Sequence, residues 1–168
     1  MGYRTVDEWE NFEFQDADVG QIHMENGHLY LELGYVTILP DNSCNRDIRK
    51  MGTNELTLQL QQVEIDRIIE EGYKLYDADG NFTKSVEDQK LTPEEYPKWM
   101  EEMAGGAVYQ ILRRPAEGEL PYEYEIYLDA NERTYLAKVY AKHDVEVWER
   151  FMNCLLYTSD AADDMQCV

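Results

Sequence analysis

The sequence predicts a β-rich α+β domain over residues 1–153, made mostly of antiparallel hairpins with one internal helix and short terminal helices. Three observations support this class. Apolar and polar residues alternate along several segments, as they do in strands buried on one side. Asn26-Gly27 and Asp79-Gly80 have the composition of hairpin turns. Residues 92–105 carry both the start and the stop signals of a helix.

The N-terminal part is expected to form a short helix followed by a hairpin. Thr5 and Glu8 have the spacing of a capping box, which favours a helix near residues 6–11. The alternating segment that follows turns at Asn26-Gly27, and a two-residue loop there places apolar side chains on one face. The expected pairs are Glu25 with His28, Met24 with Leu29, His23 with Tyr30 and Ile22 with Leu31.

The middle of the chain is expected to continue as strands and one helix. The polar residues 40–54 form a loop, and the alternation over 55–61 predicts a strand. Residues 62–71 fit either a strand or a helix, and their β-branched side chains favour the strand. A second hairpin turns at Asp79-Gly80. The internal helix begins at the cap Thr92, with Pro93 in its first position, and ends at Gly105.

The C-terminal part is expected to hold a strand, a third hairpin and a last helix. The strand covers residues 107–114. A four-residue loop over 129–132 then pairs Tyr122 with Val139, since a loop of two residues at 130–131 would set like charges against each other. Asp144 is expected to cap a helix over residues 145–153.

Charge restricts the classes of partner. The chain of 168 residues has 35 acidic and 15 basic residues and a formal net charge of −20, which repels phosphate backbones and anionic lipid. We therefore expect no direct nucleic-acid partner and no membrane partner, whereas a basic protein suits such a surface. The first ten residues lack the features of a secretory signal, which favours a cytoplasmic protein. The sequence does not indicate an oligomeric state.

The end of the chain differs from the rest. Residues 155–164, LLYTSDAADD, resemble a translated sequencing adapter of the kind that ends many unrelated metagenomic reading frames. The resemblance implies that residues 154–168 are a non-native, disordered tail. Without this tail one cysteine, Cys44, and a net charge of −17 remain, because the tail holds three aspartates and no basic residue. The acidic character therefore belongs to the domain.

Metal binding has weak candidates. His23 and His28 share the polar face of the first hairpin with Glu25 and Glu32, and imidazole with carboxylate is a possible zinc ligand set. A strand face that is open to water is the more common role of such residues. We therefore expect neither a metal nor another cofactor.

Two further motifs are incomplete. Asp77, Asp79 and Asn81 match the first ligands of a calcium-binding loop, but Phe82 stands where the loop needs glycine, so we expect a plain turn. Ser43, Cys44 and Asp47 lie together in the polar loop without a local histidine, which leaves no nucleophile motif.

Tyrosine is the most distinctive residue type, with twelve outside the tail. Most are expected in or beside the core of the sheet, where aromatic side chains pair across strands. Those that stay exposed beside acidic residues would suit a protein interface, in which tyrosine is enriched. The candidate binding residues are Tyr30, Tyr127 and Tyr140.

Two resemblances extend beyond these motifs. The segments WENFEFQDADVGQIHMENG, VTILPDNSCNRD and EGYKLYDADGN resemble an uncharacterised family of small acidic bacterial proteins, loosely labelled subtilin (lantibiotic) biosynthesis sensor protein. The label implies a histidine kinase, yet His143-Asp144 is the one partial match to an H-box and no D-x-G-x-G box occurs. A second resemblance is to immunity proteins of bacterial toxin systems, and it lies in the pattern Phe14, Asp16, Val19, Ile22, Leu29, Leu31 and Leu33.

The leading hypothesis is a non-catalytic cytoplasmic binding or regulatory protein, immunity-like or signalling-associated, that presents an acidic, Tyr-bearing surface to a protein partner. The net charge and the incomplete catalytic motifs favour it. One alternative is a small metal-dependent or hydrolytic enzyme that works from the face of His23 and His28 or from residues 43–47. The other is a fragment of a lantibiotic-type sensor protein.

Overall fold

The computed structural model of the protein describes residues 2–152. More than half of these residues lie in strands, and a helical segment covers residues 93–102. The strands are β1 (Tyr3–Val6), β2 (Phe12–Glu13), β3 (Asp18–Glu25), β4 (His28–Gly34), β5 (Val36–Ile38), β6 (Met51–Thr53), β7 (Leu56–Gln61), β8 (Glu64–Glu70), β9 (Tyr73–Tyr76), β10 (Phe82–Val86), β11 (Gln89–Lys90), β12 (Ala107–Pro115), β13 (Tyr122–Ala130), β14 (Arg133–Ala141) and β15 (His143–Trp148). The helix α1 is Tyr96–Glu102.

Ten of the strands form one antiparallel sheet in the order β1-β15-β7-β4-β3-β12-β13-β14-β8-β11. A three-stranded sheet, β2-β5-β6, and the hairpin β9-β10 stand beside it. The β-rich, antiparallel architecture expected from the sequence is confirmed. With one helical segment of ten residues, the α+β label describes the protein only loosely.

The large sheet closes on itself through two long, bent strands. β7 continues into β8 across Gln62 and Val63, and β14 continues into β15 across Lys142. Gln62 has a left-handed φ of 54°, which bends the chain at this point. β7 pairs with β15, β8 pairs with β14, and β12 pairs back to β3 at Ala107 and Asp18. A ring of six paired segments results: β3, β4, β7 with β8, β14 with β15, β13 and β12.

The hydrophobic core lies inside this ring. Leu56, Leu58 and Leu60 of β7 are almost fully buried, as the alternation in the sequence predicts. The helical segment adds Trp99, and Met103 just after it, to the same core. The buried side chains that contribute most volume are Trp148, Tyr124, Leu31, Ile38, Leu58, Leu60, Ile68, Met103, Ile126 and Leu128.

Several local predictions are confirmed. The first hairpin has the expected register, with Glu25 opposite His28 around Asn26-Gly27, and both turn residues have positive φ. Residues 62–71 contain strand β8. The second hairpin turns at Asp77–Asn81, with Gly80 at φ +83°. The internal helix begins with the capping box of Thr92 and is followed by Gly105 at φ +87°.

The register predicted for the third hairpin is wrong by two residues. Tyr122 pairs with Ala141, and Tyr124 rather than Tyr122 pairs with Val139. The loop is Asn131-Glu132, and both residues adopt the left-handed φ of a type I′ turn. The expectation failed because Glu132 is an unusual residue at such a φ. Since a shift of two keeps the alternation, every side chain still lies on its expected face.

The terminal helices are not observed. In place of a helix at residues 6–11, the chain forms strand β1 and a single 3₁₀ turn at Trp9–Asn11. In place of a helix after Asp144, the chain forms strand β15, which pairs with both β1 and β7. Asp144 lies inside this strand and caps no helix.

The β15 segment misled the prediction because its pattern is inverted. Asp144, Glu146 and Trp148 point into the ring and are buried, opposite the three leucines of β7. Val147 on the other face is exposed, and Val145 is buried outside the main core. Two valines therefore lie on the outer face of this strand, and two acids share the inner face with Trp148, which is the reverse of the usual assignment for acids and valines.

Two further sequence predictions concern the end of the chain and the membrane. The tail expected at residues 154–168 lies outside the described residues. Among residues 2–152, no helix has the length and apolar character needed to cross a membrane.

Candidate functional site

The structure does not assemble the four candidate zinc ligands into a site. The His23 ring stacks in parallel on Tyr30, with 4.8 Å between ring centroids. Nδ1 of His28 accepts the backbone N–H of Gln62 at 3.0 Å, which engages one of its two ring nitrogens. Glu25 and Glu32 are exposed. Within residues 2–152, no three His, Cys, Asp or Glu side chains are arranged to hold a metal ion.

The calcium-like segment forms a turn. Oδ1 of Asp77 accepts the backbone N–H groups of Asp79 and Asn81, each at 2.9 Å. The bond from Asn81 is the main reason that the pKa of Asp77 is lowered from its usual value. The carboxylate is therefore occupied by its own backbone, in the manner of an Asx turn.

The polar loop does not form a nucleophile site. The hydroxyl of Ser43 donates to Glu8 at 2.5 Å, and Cys44 packs against the core. Asp47 is paired with Arg49. His143 is hydrogen-bonded to Asp7.

The three candidate tyrosines fall in two places. Tyr30 lies on β4 between His23 and Gln59, whose amide donates to its hydroxyl at 3.1 Å. Tyr127 and Tyr140 lie on the outward side of β13 and β14, on a surface that we call the outer acidic face. It comprises Glu123, Glu125, Tyr127 and Asp129 of β13, and Thr134, Leu136, Lys138 and Tyr140 of β14.

One end of the outer acidic face opens into a groove, which we call the glutamate groove. It has a volume of about 590 Å³ and is lined by Tyr140 and four glutamates. Its remaining lining is Ala116 and Leu120, so no basic residue contributes. Three of these glutamates, Glu64, Glu117 and Glu119, have no ion-pair partner in the described part of the chain. The fourth is Glu123.

The other end of the face holds a second concavity, which we call the tyrosine notch. It has a volume of about 480 Å³ and is lined by Glu71, Tyr109, Gln110, Tyr127, Asp129 and Thr134. The rings of Tyr109 and Tyr127 meet edge to face, with centroids 6.4 Å apart and planes at 78°. Tyr109 is 52% exposed. Burial is the main cause of a raised pKa at Tyr127, and Glu125 and Glu71 add to it.

The centre of the face is neutralised by ion pairs. Arg114 is bound to Glu125 and lies 3.5 Å from Glu123. Nζ of Lys138 lies 3.6 Å from the same Glu123. The negative charge that remains without a partner is therefore concentrated at the two ends, in the glutamate groove and the tyrosine notch.

A second cluster of titratable groups lies inside the ring of strands and centres on Asp144. This side chain is fully buried and accepts three hydrogen bonds. Oδ2 accepts from Arg113 at 2.9 Å and from the hydroxyl of Tyr124 at 2.5 Å, and Oδ1 accepts from the backbone N–H of Trp9 at 3.1 Å. Burial, followed by the proximity of Asp144, raises the pKa of Tyr124. The guanidinium of Arg113 also stacks over Tyr122, 4.5 Å from its centroid.

Glu146 is the second buried acid of this cluster. Its Oε1 accepts the hydroxyl of Thr5 at 2.6 Å, whereas its Oε2 is buried and meets no donor among the described residues. Burial and the neighbouring carboxyl group of Asp144 raise the pKa of Glu146 far above the usual range. With its pKa raised in this way, the buried acid is expected to be protonated, and therefore uncharged, at neutral pH.

The buried cluster holds the N-terminal segment in place. The backbone N–H of Asp7 donates to the carbonyl of Asp144 at 2.7 Å, and Oδ1 of Asp7 accepts the N–H of Asp144 at 3.1 Å. Glu10 pairs with Arg113 at 2.6 Å. Asp144 and Glu146 have no exposed surface, and the cluster supports the interior of the ring.

Sequence reasoning missed this cluster because its members come from four separate segments, which are the N-terminal segment, β12, β13 and β15. The local signal is the H-D-V-E-V-W alternation of residues 143–148, which places two acids and a tryptophan on one face of a strand.

Comparison of the chain with protein-family models, with curated proteins and with solved structures gave no match.

Proposed function

We propose that the protein is a cytoplasmic, non-catalytic binding protein whose outer acidic face docks a basic protein partner. The observation that supports this most is the pair of concavities at the two ends of that face. Each combines at least one tyrosine with two or more carboxylates, and neither has a lysine or arginine in its lining.

The charge of the chain supports the same proposal. A net charge of −20 accelerates the approach of a basic partner and repels nucleic acid. Unpaired carboxylates such as those of Glu64, Glu117 and Glu119 gain most from an incoming cation, because no internal ion pair must be broken first. Tyrosine adds contact area at a low cost in side-chain entropy.

Binding is favoured over catalysis by the burial of the internal acids. Asp144 and Glu146 are neighbouring buried carboxyl groups, an arrangement that acid–base chemistry can use. Both are sealed beneath the N-terminal segment, whereas the acids of the outer face are open to a partner.

A charge-neutralising variant tests the proposal. The probe is a short peptide of alternating arginine and serine, titrated into the full chain at low salt. Changing Glu64, Glu117 and Glu119 to Gln should weaken binding about tenfold, if each exposed pair contributes about 0.5 kcal/mol. Isothermal titration calorimetry measures the dissociation constant.

The matched control removes the same net charge elsewhere. Glu87, Glu94 and Glu101 are exposed and lie outside the outer acidic face, so their change to Gln should weaken binding by much less. Equal losses in the two triple variants would mean that the peptide responds to net charge alone, and the proposed face would be rejected.

A further inference from the structure

We infer that the tyrosine notch is the specific contact point for one arginine side chain of the basic partner. The inference rests on the proposed function and adds the chemistry of the contact. Its elements are the edge-to-face rings of Tyr109 and Tyr127 and the carboxylates of Glu71 and Asp129, all lining one concavity of about 480 Å³.

The strand is shaped to present Tyr109. The pairing of β12 with β13 shifts register between Val108 and Gln110, so Tyr109 is the extra residue of a β-bulge. Such a bulge interrupts the ladder and turns a side chain away from its regular position. Here it leaves Tyr109 half exposed over Tyr127, although nothing in the core requires an aromatic residue at that point.

At two other places in this protein, a tyrosine ring and a carboxylate together bind an arginine side chain. The guanidinium of Arg113 lies 4.5 Å from the Tyr122 centroid and pairs with Asp144. The guanidinium of Arg133 lies 4.8 Å from the Tyr73 centroid and pairs with Glu70 at 2.7 Å. In both, a planar cation stacks on the ring and bonds the acid.

The tyrosine notch has the rings and the acids of this arrangement but no cation. Arg114 lies within electrostatic reach of Tyr127, yet it is bound to Glu125 and Glu123. Arginine fits better than lysine, because its flat guanidinium can stack on one ring while it bonds a carboxylate through two N–H groups.

Two substitutions of Tyr109 separate its ring from its bulk. Tyr109→Leu keeps an apolar side chain but removes the aromatic face, and should weaken the arginine–serine peptide about two- to fivefold. Tyr109→Phe keeps the aromatic face and should bind like the wild type. Because Tyr109 is half exposed, both variants should keep the wild-type melting temperature.

A direct test is to follow the NMR resonances of the Tyr109 and Tyr127 rings in the wild-type protein. They should shift on titration with the peptide and stay unchanged with its citrulline analogue, which has the same shape without the charge. The inference is overturned if Tyr109→Leu binds like the wild type, or if Tyr109→Phe is as weak as the leucine variant. If the glutamate-groove variant still loses affinity in that case, the proposed function stands and only the arginine contact is rejected.

Discussion

Asp144→Asn should lower the free energy of unfolding by about 3–5 kcal/mol, the range for breaking a buried ion pair. Both carboxylate oxygens of Asp144 accept hydrogen bonds, from Arg113 and Tyr124 on one side and from the backbone of Trp9 on the other. An amide has one accepting oxygen, so its NH₂ group would face a donor. Urea denaturation measures the loss.

The control for this variant uses the other acid bound to the same arginine. Glu10 pairs with Arg113 at 2.6 Å, but its side chain is 49% exposed. Glu10→Gln should therefore cost less than about 1 kcal/mol. Similar losses in the two variants would contradict the view that Asp144 anchors the interior of the ring.

Glu146→Gln should stabilise the protein at neutral and alkaline pH. Glutamine resembles the protonated acid: its oxygen can accept from Thr5, and its NH₂ group can donate to the neighbouring Asp144 as a protonated carboxyl group would. It has no proton to lose. The variant and the wild type should therefore be nearly equal in acid and diverge as the pH rises.

The direction follows from the raised pKa of Glu146 in the fold. An unfolded glutamate releases its proton at about pH 4.3, whereas the folded protein retains it. Between that pH and the raised folded pKa, the folded state binds more protons, so this group makes stability fall as the pH increases. The slope that glutamine removes is up to about 1.4 kcal/mol per pH unit.

The measurement is the free energy of unfolding of both proteins from about pH 5 to about pH 9. The difference between them should grow steadily over this range. Glu25→Gln, which removes one acid from an exposed position, should run parallel to the wild type. A difference between the Glu146 variant and the wild type that stays constant with pH would show that Glu146 does not keep its proton.

The parts of the fold that could be predicted are those set by neighbouring residues. Asn26-Gly27 fixes a type I′ turn, and the register of β3 and β4 follows from it. The capping box of Thr92 and the positive φ at Gly105 bound the helical segment in the same way. In each case the signal lies within a few residues of the structure that it specifies.

The parts that failed depend on distant residues. β15 was expected to be helical because Asp144 is a suitable helix cap and the apolar residues after it have helical spacing. In the fold, donors from other segments, among them Arg113, Tyr124 and Thr5, satisfy its two acids within the ring. The third hairpin was placed two residues away because Glu132 gives no sign of its positive φ. Local sequence patterns therefore could not predict the buried cluster around Asp144.

The chemical character of the candidate site could be predicted from the sequence, but its position in the fold could not. Composition indicates acidic and tyrosine-rich character, and Tyr127 and Tyr140 were candidates from strand pattern alone. Their common face depends on the pairing of β13 with β14. Tyr109 lies beside that face because of a β-bulge, which no sequence pattern predicted. Tyr30 shares the same pattern yet lies on β4, beside His23.

The most direct test of the outer acidic face is an NMR titration that makes no choice of residue in advance. The arginine–serine peptide is added to the isotope-labelled full chain, and shifts are recorded for all assigned backbone amides. We expect the shifted amides to cluster around residues 64, 71, 109, 117–129 and 140. Shifts centred on β3 and β4 around His23 and Tyr30, or scattered over the whole surface, would contradict the assignment.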